Sequence, residues 1–235
     1  MSGLNDLFVV TPCSELGYSR YWQQLLANRD FGYLAFTRRF LSQSGAYPHA
    51  AMNSLVTEAL KIKGWRRLLI LEHDHEYPVD VFRKHAAYKE PIVSGSYILR
   101  DIEKPFPVFY NWDTARHNVV NLDAAQLNKM FTHRGLYEVD VAPLGCTSIR
   151  RDVLENWPKD QPWFSSFTNP VGATISHDVF FCRVAQDNGW TIHVDTSLQV
   201  KHLVLVPLDD DYFLKWWNAE GAKQAIKRVE EEAVA

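Results

Sequence analysis

The apolar positions of the chain alternate between short continuous runs and stretches of helical period, the order expected of an α/β domain with a mostly parallel central sheet flanked by helices. Leu7-Phe8-Val9-Val10-Thr11 reads as a first strand, closed by Pro12 and Gly17 before an amphipathic helix from about Tyr18 to Asn28. Phe31 to Phe40 reads as a second strand running into Arg38-Arg39, with a polar turn from Ser42 to Pro48. Between His49 and Lys63, Met52, Leu55, Val56, Ala59, Leu60 and Ile62 recur at helical spacing, and Gly64 stops that helix. The run Leu68 to Leu71 suits a strand covered on both faces. A helix after Pro78, a strand over Pro91 to Leu99, an edge strand over Phe106 to Trp112 and a short helix over Leu122 to Phe131 follow, with Asp113 to Val120 weakly patterned.

Gly135 to Val141 alternates as a strand and leads into the small-residue loop Ala142 to Thr147, then a helix through Ile149, Val153 and Leu154. Asn156 to Pro170 is a loop rich in Trp, Pro and Ser, and Ser176-His177-Asp178 opens a strong helix ending at Gly189. Strands are expected over Thr191 to Val194 and Leu198 to Val206, separated by a turn at Asp195-Thr196, and a helical tail starts at Asp209. The 235 residues suit one domain over residues 1–208, with residues 209–235 as a tail packed on it.

Composition narrows the function. A net charge of −3 gives no footprint for general nucleic-acid binding. Three widely spaced cysteines form no disulfide or zinc pattern, which fits a reducing, cytoplasmic setting. The amino terminus has no signal-peptide pattern, and no apolar run approaches the ~20 residues of a membrane span.

Candidate chemistry begins where the Leu68 strand ends in Glu72-His73-Asp74-His75-Glu76. If the strand continues, Glu72 and Asp74 project to one side, and paired carboxylates at the end of a core strand suit a hard divalent cation such as Mg²⁺ or Mn²⁺. A solvated loop capping the next helix is the other reading of the same residues. Gly95 inside a strand marks close approach of a ligand or of another backbone. Asn53 is a candidate for a nucleotide pocket or a solvated helical residue, and Trp163-Phe164 a sugar-stacking platform or packing under the loop. Asp178 either serves chemistry or complements the positive end of its helix.

In this order the motifs resemble a glycosyltransferase of the GT-A fold, similar to the small single-domain enzymes of the family-two-like group. Glu72-His73-Asp74 matches the D-x-D motif, Pro143-Leu144-Gly145-Cys146-Thr147 the glycine loop, Ser176-His177-Asp178 the x-E-D motif and His202 the late histidine, over about Leu7 to Leu203. Two departures are Glu72 for the first Asp and His177 for the usual Glu. The resemblance implies Mn²⁺ or Mg²⁺ held by Glu72, Asp74 and His202, and Asp178 as general base for an inverting displacement, with a retaining outcome as the other course. It implies a nucleotide-diphosphate donor, a UDP-sugar by default, bordered by Thr11, Pro12, Glu15, Asn53, His73, Gly95 and Arg100. The acceptor is a hydroxyl compound near Gly145, Trp163, Phe164 and His177, and His75 is expected to support the ligands rather than join them. A nucleotidyltransferase and a non-catalytic nucleotide or carbohydrate binder are the alternatives.

Overall fold

The computed structural model describes residues 3–13, 19–37, 39–44, 47–101, 104–113, 118–168, 172, 174–204, 210, 214 and 217–218. The chain divides into two compact units, residues 1–203 and 204–235. The first unit contains β1 (Leu7–Cys13), α1 (Ser19–Ala27), α2 (Arg29–Phe36), β2 (Phe40–Ser44), α3 (Pro48–Lys61), β3 (Arg67–Leu71), β4 (His75–Glu76), α4 (Val81–Ala87) and β5 (Ile92–Ser96). It continues with β6 (Tyr110–Asp113), β7 (Asn118–Asn121), α5 (Ala124–Thr132), β8 (Leu136–Glu138), β9 (Cys146–Arg150) and α6 (Arg151–Glu155). The remaining elements are β10 (Phe167–Thr168), β11 (Thr174–Ile175), α7 (His177–Asp187), β12 (Ile192–Gln199) and β13 (Lys201–His202).

The central sheet has seven strands in the order β2-β1-β3-β9-β5-β12-β8. β2, β1, β3, β5 and β12 point one way and β9 and β8 the other, so the sheet is mostly parallel. Successive side chains of a strand leave by opposite faces, and the core follows that rule. Phe8, Val10, Leu68 and Ile70 meet α3, α6 and α7, while Leu7, Val9, Leu69 and Leu71 meet α1, α2 and α4. Each such side chain contributes about 1.5–3 kcal/mol by leaving water. β3 is therefore held rigidly at the point where the acidic cluster begins.

Four expectations are corrected. Phe31 to Phe40 is not a strand: α2 occupies most of it because the Asn28 side chain accepts from the amides of Asp30 and Phe31 (2.9 and 3.3 Å), and Phe31 and Leu34 are spaced to bury one helical face. Cys146 to Arg150 is neither loop nor helix but β9, buried between β3 and β5 and antiparallel to both. Asp195-Thr196 is no turn, because β12 runs through it with a bulge before Gln199. β3 stops at Leu71, so Glu72 and Asp74 lie on a turn rather than on one face of a continuing strand. The weakly patterned stretch after Asp113 contains β7, which forms an antiparallel ribbon with β6.

Among the described residues no helix is long and apolar enough to cross a membrane.

Candidate functional site

The turn after β3 is fixed by backbone. The Glu72 amide donates to the Gly145 carbonyl (3.0 Å), and the Tyr77 hydroxyl bridges the carbonyls of Glu72 (2.5 Å) and Gly145 (2.8 Å). Gln24 on α1 clamps the exit, donating to the His75 carbonyl and accepting from the Tyr77 amide, each at 2.7 Å. β4 then pairs with β13 so that His75 sits opposite His202, and the Leu203 amide donates to the Asp74 carbonyl at 2.8 Å. Lys201 and Arg20 both pair with Glu76, which closes the ribbon from the outside.

This scaffold gathers Asp74, His75 and His202, whose potential ligand atoms all lie within 4.8 Å of one another. The imidazoles of His75 and His202 stack at 4.4 Å with planes 13° apart, and Tyr97 meets His75 edge-on at 4.4 Å. His202 Nδ1 lies 3.1 Å from the Ile98 carbonyl, which can only accept, so Nδ1 carries the proton. In the neutral ring Nε2 then presents a lone pair 3.3 Å from Asp74 Oδ2, an arrangement that calls for a cation between them or a second proton. His75 is fully buried, and burial pushes its pKa down, which favours the neutral form. Its Nδ1 lies 2.8 Å from Asp74 Oδ1, but without hydrogen-bond direction. Those two atoms and His75 Nε2 are buried with no hydrogen-bond partner among the described residues. Leaving such atoms unsatisfied costs about 1–3 kcal/mol each. One carboxylate and two imidazoles with unused lone pairs make a mixed oxygen and nitrogen donor set suited to a divalent first-row cation.

Burial alone would raise the Asp74 pKa; the contacts with His202 and His75 outweigh it and hold the carboxylate below its usual range. Arg100, with its side chain about half exposed, donates to Asp74 Oδ2 at 3.1 Å and faces solvent beside the cluster. Glu72 is not one of the three converging residues. Burial first, then the negative charges of Asp178 and Asp74, push its pKa up to about 8, with Arg100 opposing. His75, expected to support the ligands, stands in the converging set instead. The missed signal was the alternation of histidine and acid through residues 73–76, which puts an imidazole directly after the dependable acid.

Gly145 is explained by this cluster. A Cβ there would stand 2.7 Å from His75 Cε1, 2.8 Å from the Tyr97 hydroxyl and 2.9 Å from Glu72 Oε2, so only glycine lets the chain entering β9 back against the three side chains. It packs behind the cluster, whereas the sequence reading put it against the acceptor. Gly95 is likewise an internal contact, because a Cβ would meet Val200 Cγ2 at 2.9 Å and Cys146 Sγ at 3.3 Å.

Other sequence candidates separate. The Asn53 amide donates to the Phe164 carbonyl (2.7 Å) and accepts from the Phe164 amide (3.1 Å), so it pins the loop after α6 and is not directed at the acidic cluster. Phe164 is buried and stacks on Phe181 at 5.2 Å, leaving no open face for a sugar. Trp163 donates to the Leu154 carbonyl at 3.1 Å and lines a cleft with Asn53, Leu60 and Trp157. The Thr11 hydroxyl is buried against the Tyr21 hydroxyl at 2.5 Å, and the Pro12 carbonyl lies 3.4 Å from His73 Nδ1. Glu15 lies outside the described residues.

Asp178 occupies the first turn of α7, where Ser176 caps the helix through the Val179 amide. His177 Nε2 lies 3.2 Å from Asp178 Oδ1. Asp178 lines a cleft of about 370 Å³ with Leu99, Val108, Val119, Val141 and Pro143 among its walls.

No protein-family model and no curated protein sequence matches the chain. Solved structures do. The crystal structure of A197 from STIV aligns with a TM-score of 0.51 at 16% identity over 84% of this chain and 86% of that one. The crystal structure of GalNAc-T7 with UDP, GalNAc and Mn2+ aligns with a TM-score of 0.54 at 9% identity over 85% of this chain. This chain has the GT-A fold. It spans 43% of the GalNAc-T7 chain, and at such identities the likeness is one of fold.

Proposed function

We propose that the chain is a metal-dependent glycosyltransferase that moves a sugar from a nucleotide-diphosphate donor, a UDP-sugar, to an acceptor hydroxyl with inversion. The observation that carries the proposal is the convergence of Asp74, His75 and His202, with unpartnered buried ligand atoms, at the end of a core strand of a GT-A sheet. The presence of UDP and Mn2+ in the GalNAc-T7 structure supports the choice of ligands.

Asp74, His75 and His202 would hold the cation, Mn²⁺ before Mg²⁺ because two of the three donors are imidazole nitrogens. When bound, the cation supplies positive charge for the leaving diphosphate. Arg100 stands beside it as a second positive group for the donor. Asp178 takes the proton of the acceptor hydroxyl as that oxygen bonds to the anomeric carbon, and the bond from that carbon to the diphosphate breaks with its electron pair leaving on phosphate oxygen. His177 keeps the Asp178 carboxylate turned for that transfer.

The test is thermal unfolding of the full chain with Mn²⁺ and a series of nucleotide sugars. A ligand at 100 times its Kd stabilises by about 2.7 kcal/mol, and the shift should require both Mn²⁺ and Asp74. A series in which no nucleotide sugar shifts the transition, with or without Mn²⁺, overturns the proposal.

A further inference from the structure

We infer that the acceptor is an uncharged hydroxyl compound with an apolar body, an aryl or alkyl alcohol or glycoside, seated in the cleft between the β6–β7 ribbon and the start of α7. The inference rests on the glycosyltransferase reading and names its second substrate.

The cleft and the metal-ligand cluster share two stretches of chain. Leu99 lines the cleft, while the carbonyl of the preceding Ile98 holds His202 Nδ1. Pro143 lines it too, while Gly145, two residues on, backs Glu72 and His75. The two are thus tied through the same backbone, and Asp178 itself lines the cleft. Tyr110, another lining residue, has its phenol pKa raised by burial and then by the Asp178 charge, which places that charge at the cleft.

The walls choose the acceptor. Leu99, Val108, Val119, Val141, Ile175 and Val179 present aliphatic surface, Tyr110, Asn118, Thr174 and Ser176 add neutral polar groups, and Asp178 is the charged residue among the described lining. An aromatic or aliphatic body gains by leaving water against these walls. A phosphate or carboxylate would lose hydration there and face the Asp178 carboxylate at close range. A volume of about 370 Å³ lies near the lower end of small-ligand sites and admits one ring or a short chain. The single carboxylate meets the hydroxyl that must lose its proton.

The experiment has two stages on the full chain. Mn²⁺-dependent thermal shift and hydrolysis of nucleotide sugars first establish the donor. Transfer from that donor is then compared between 4-nitrophenyl or octyl glycosides, the corresponding sugar phosphates, and a polysaccharide. The expected result is a kcat/KM at least ten-fold higher for the aryl or alkyl glycosides. Val119→Asp should raise their KM at least ten-fold with a smaller change in donor KM, and Val179→Thr should do the same to a lesser degree. A donor that binds and turns over but transfers preferentially to sugar phosphates or to the polysaccharide overturns this inference and leaves the enzyme reading standing. Absence of any donor signal overturns both.

Discussion

Two buried histidines, ten residues apart, show how differently the same side chain can be used. His85 on α4 has both nitrogens occupied: Nδ1 lies 2.8 Å from Ser148 Oγ and Nε2 3.4 Å from Cys146 Sγ. Its neighbours are equally complete. Arg67 donates to Ser148 Oγ (3.1 Å) and to the carbonyls of Tyr88 (3.1 Å) and Glu90 (2.5 Å), and Tyr88 donates to Asp195. None of these residues has an unpartnered buried atom. His75 has two, and an adjoining carboxylate oxygen has a third. A buried polar group that is satisfied from within needs nothing further, whereas one left open keeps an energetic deficit that an arriving ligand can remove.

The largest break in that contrast is Asp74→Ala, which should lower sugar transfer by 10²-fold or more and abolish the Mn²⁺-dependent thermal shift while the circular dichroism spectrum is retained. Unchanged turnover would detach the cluster from function. A pair of substitutions sharpens the comparison. His75→Phe should lose the Mn²⁺ shift. His85→Phe should keep the shift and lose about 1–3 kcal/mol, since Ser148 and Cys146 lose their partner. Denaturant titration with and without Mn²⁺ separates the two, and an undiminished shift in His75→Phe removes that residue from the ligands.

Gly145→Ala should cost about 1–3 kcal/mol through overpacking and weaken Mn²⁺ affinity as the new methyl displaces the His75 ring. A neutral result by calorimetry would show that β9 can retreat. The last prediction is a pH slope. Burial lowers the His85 pKa from 6.5 to about 3, so between those values the unfolded chain binds the extra proton and the folded chain does not. Stability present above pH 6.5 is therefore lost as pH falls, by up to about 1.4 kcal/mol per pH unit from this residue. His85→Phe should flatten that limb; an equally steep limb in the variant would assign the proton elsewhere.

The sheet was legible wherever burial and period agreed. Leu7 to Thr11, Leu68 to Leu71 and the helix over Met52 to Ala59 all lie within the elements expected. Sequence patterning failed where a local cap or a long-range pairing decided the outcome. Asn28 makes a helix of an aromatic run with strand character, and β9 exists because β3 and β5 flank it. The same division holds at the site. Asp74 and His202 were visible through the ordered motifs and do converge. His75 joins them and Glu72 does not, because which of several neighbouring groups turns toward the others depends on where β3 ends and on the pairing of His75 with His202, and neither is local information.

The short β4–β13 ribbon joins residues 128 positions apart at its Asp74–His202 contact. Closing so long a loop is entropically expensive and must await the strands between. The three side chains proposed to hold the cation therefore come together only when both ends of that long loop are in place. Loading with Mn²⁺ would then act as a late fastener, reporting that the domain is complete and resisting its unravelling from the carboxyl-terminal side.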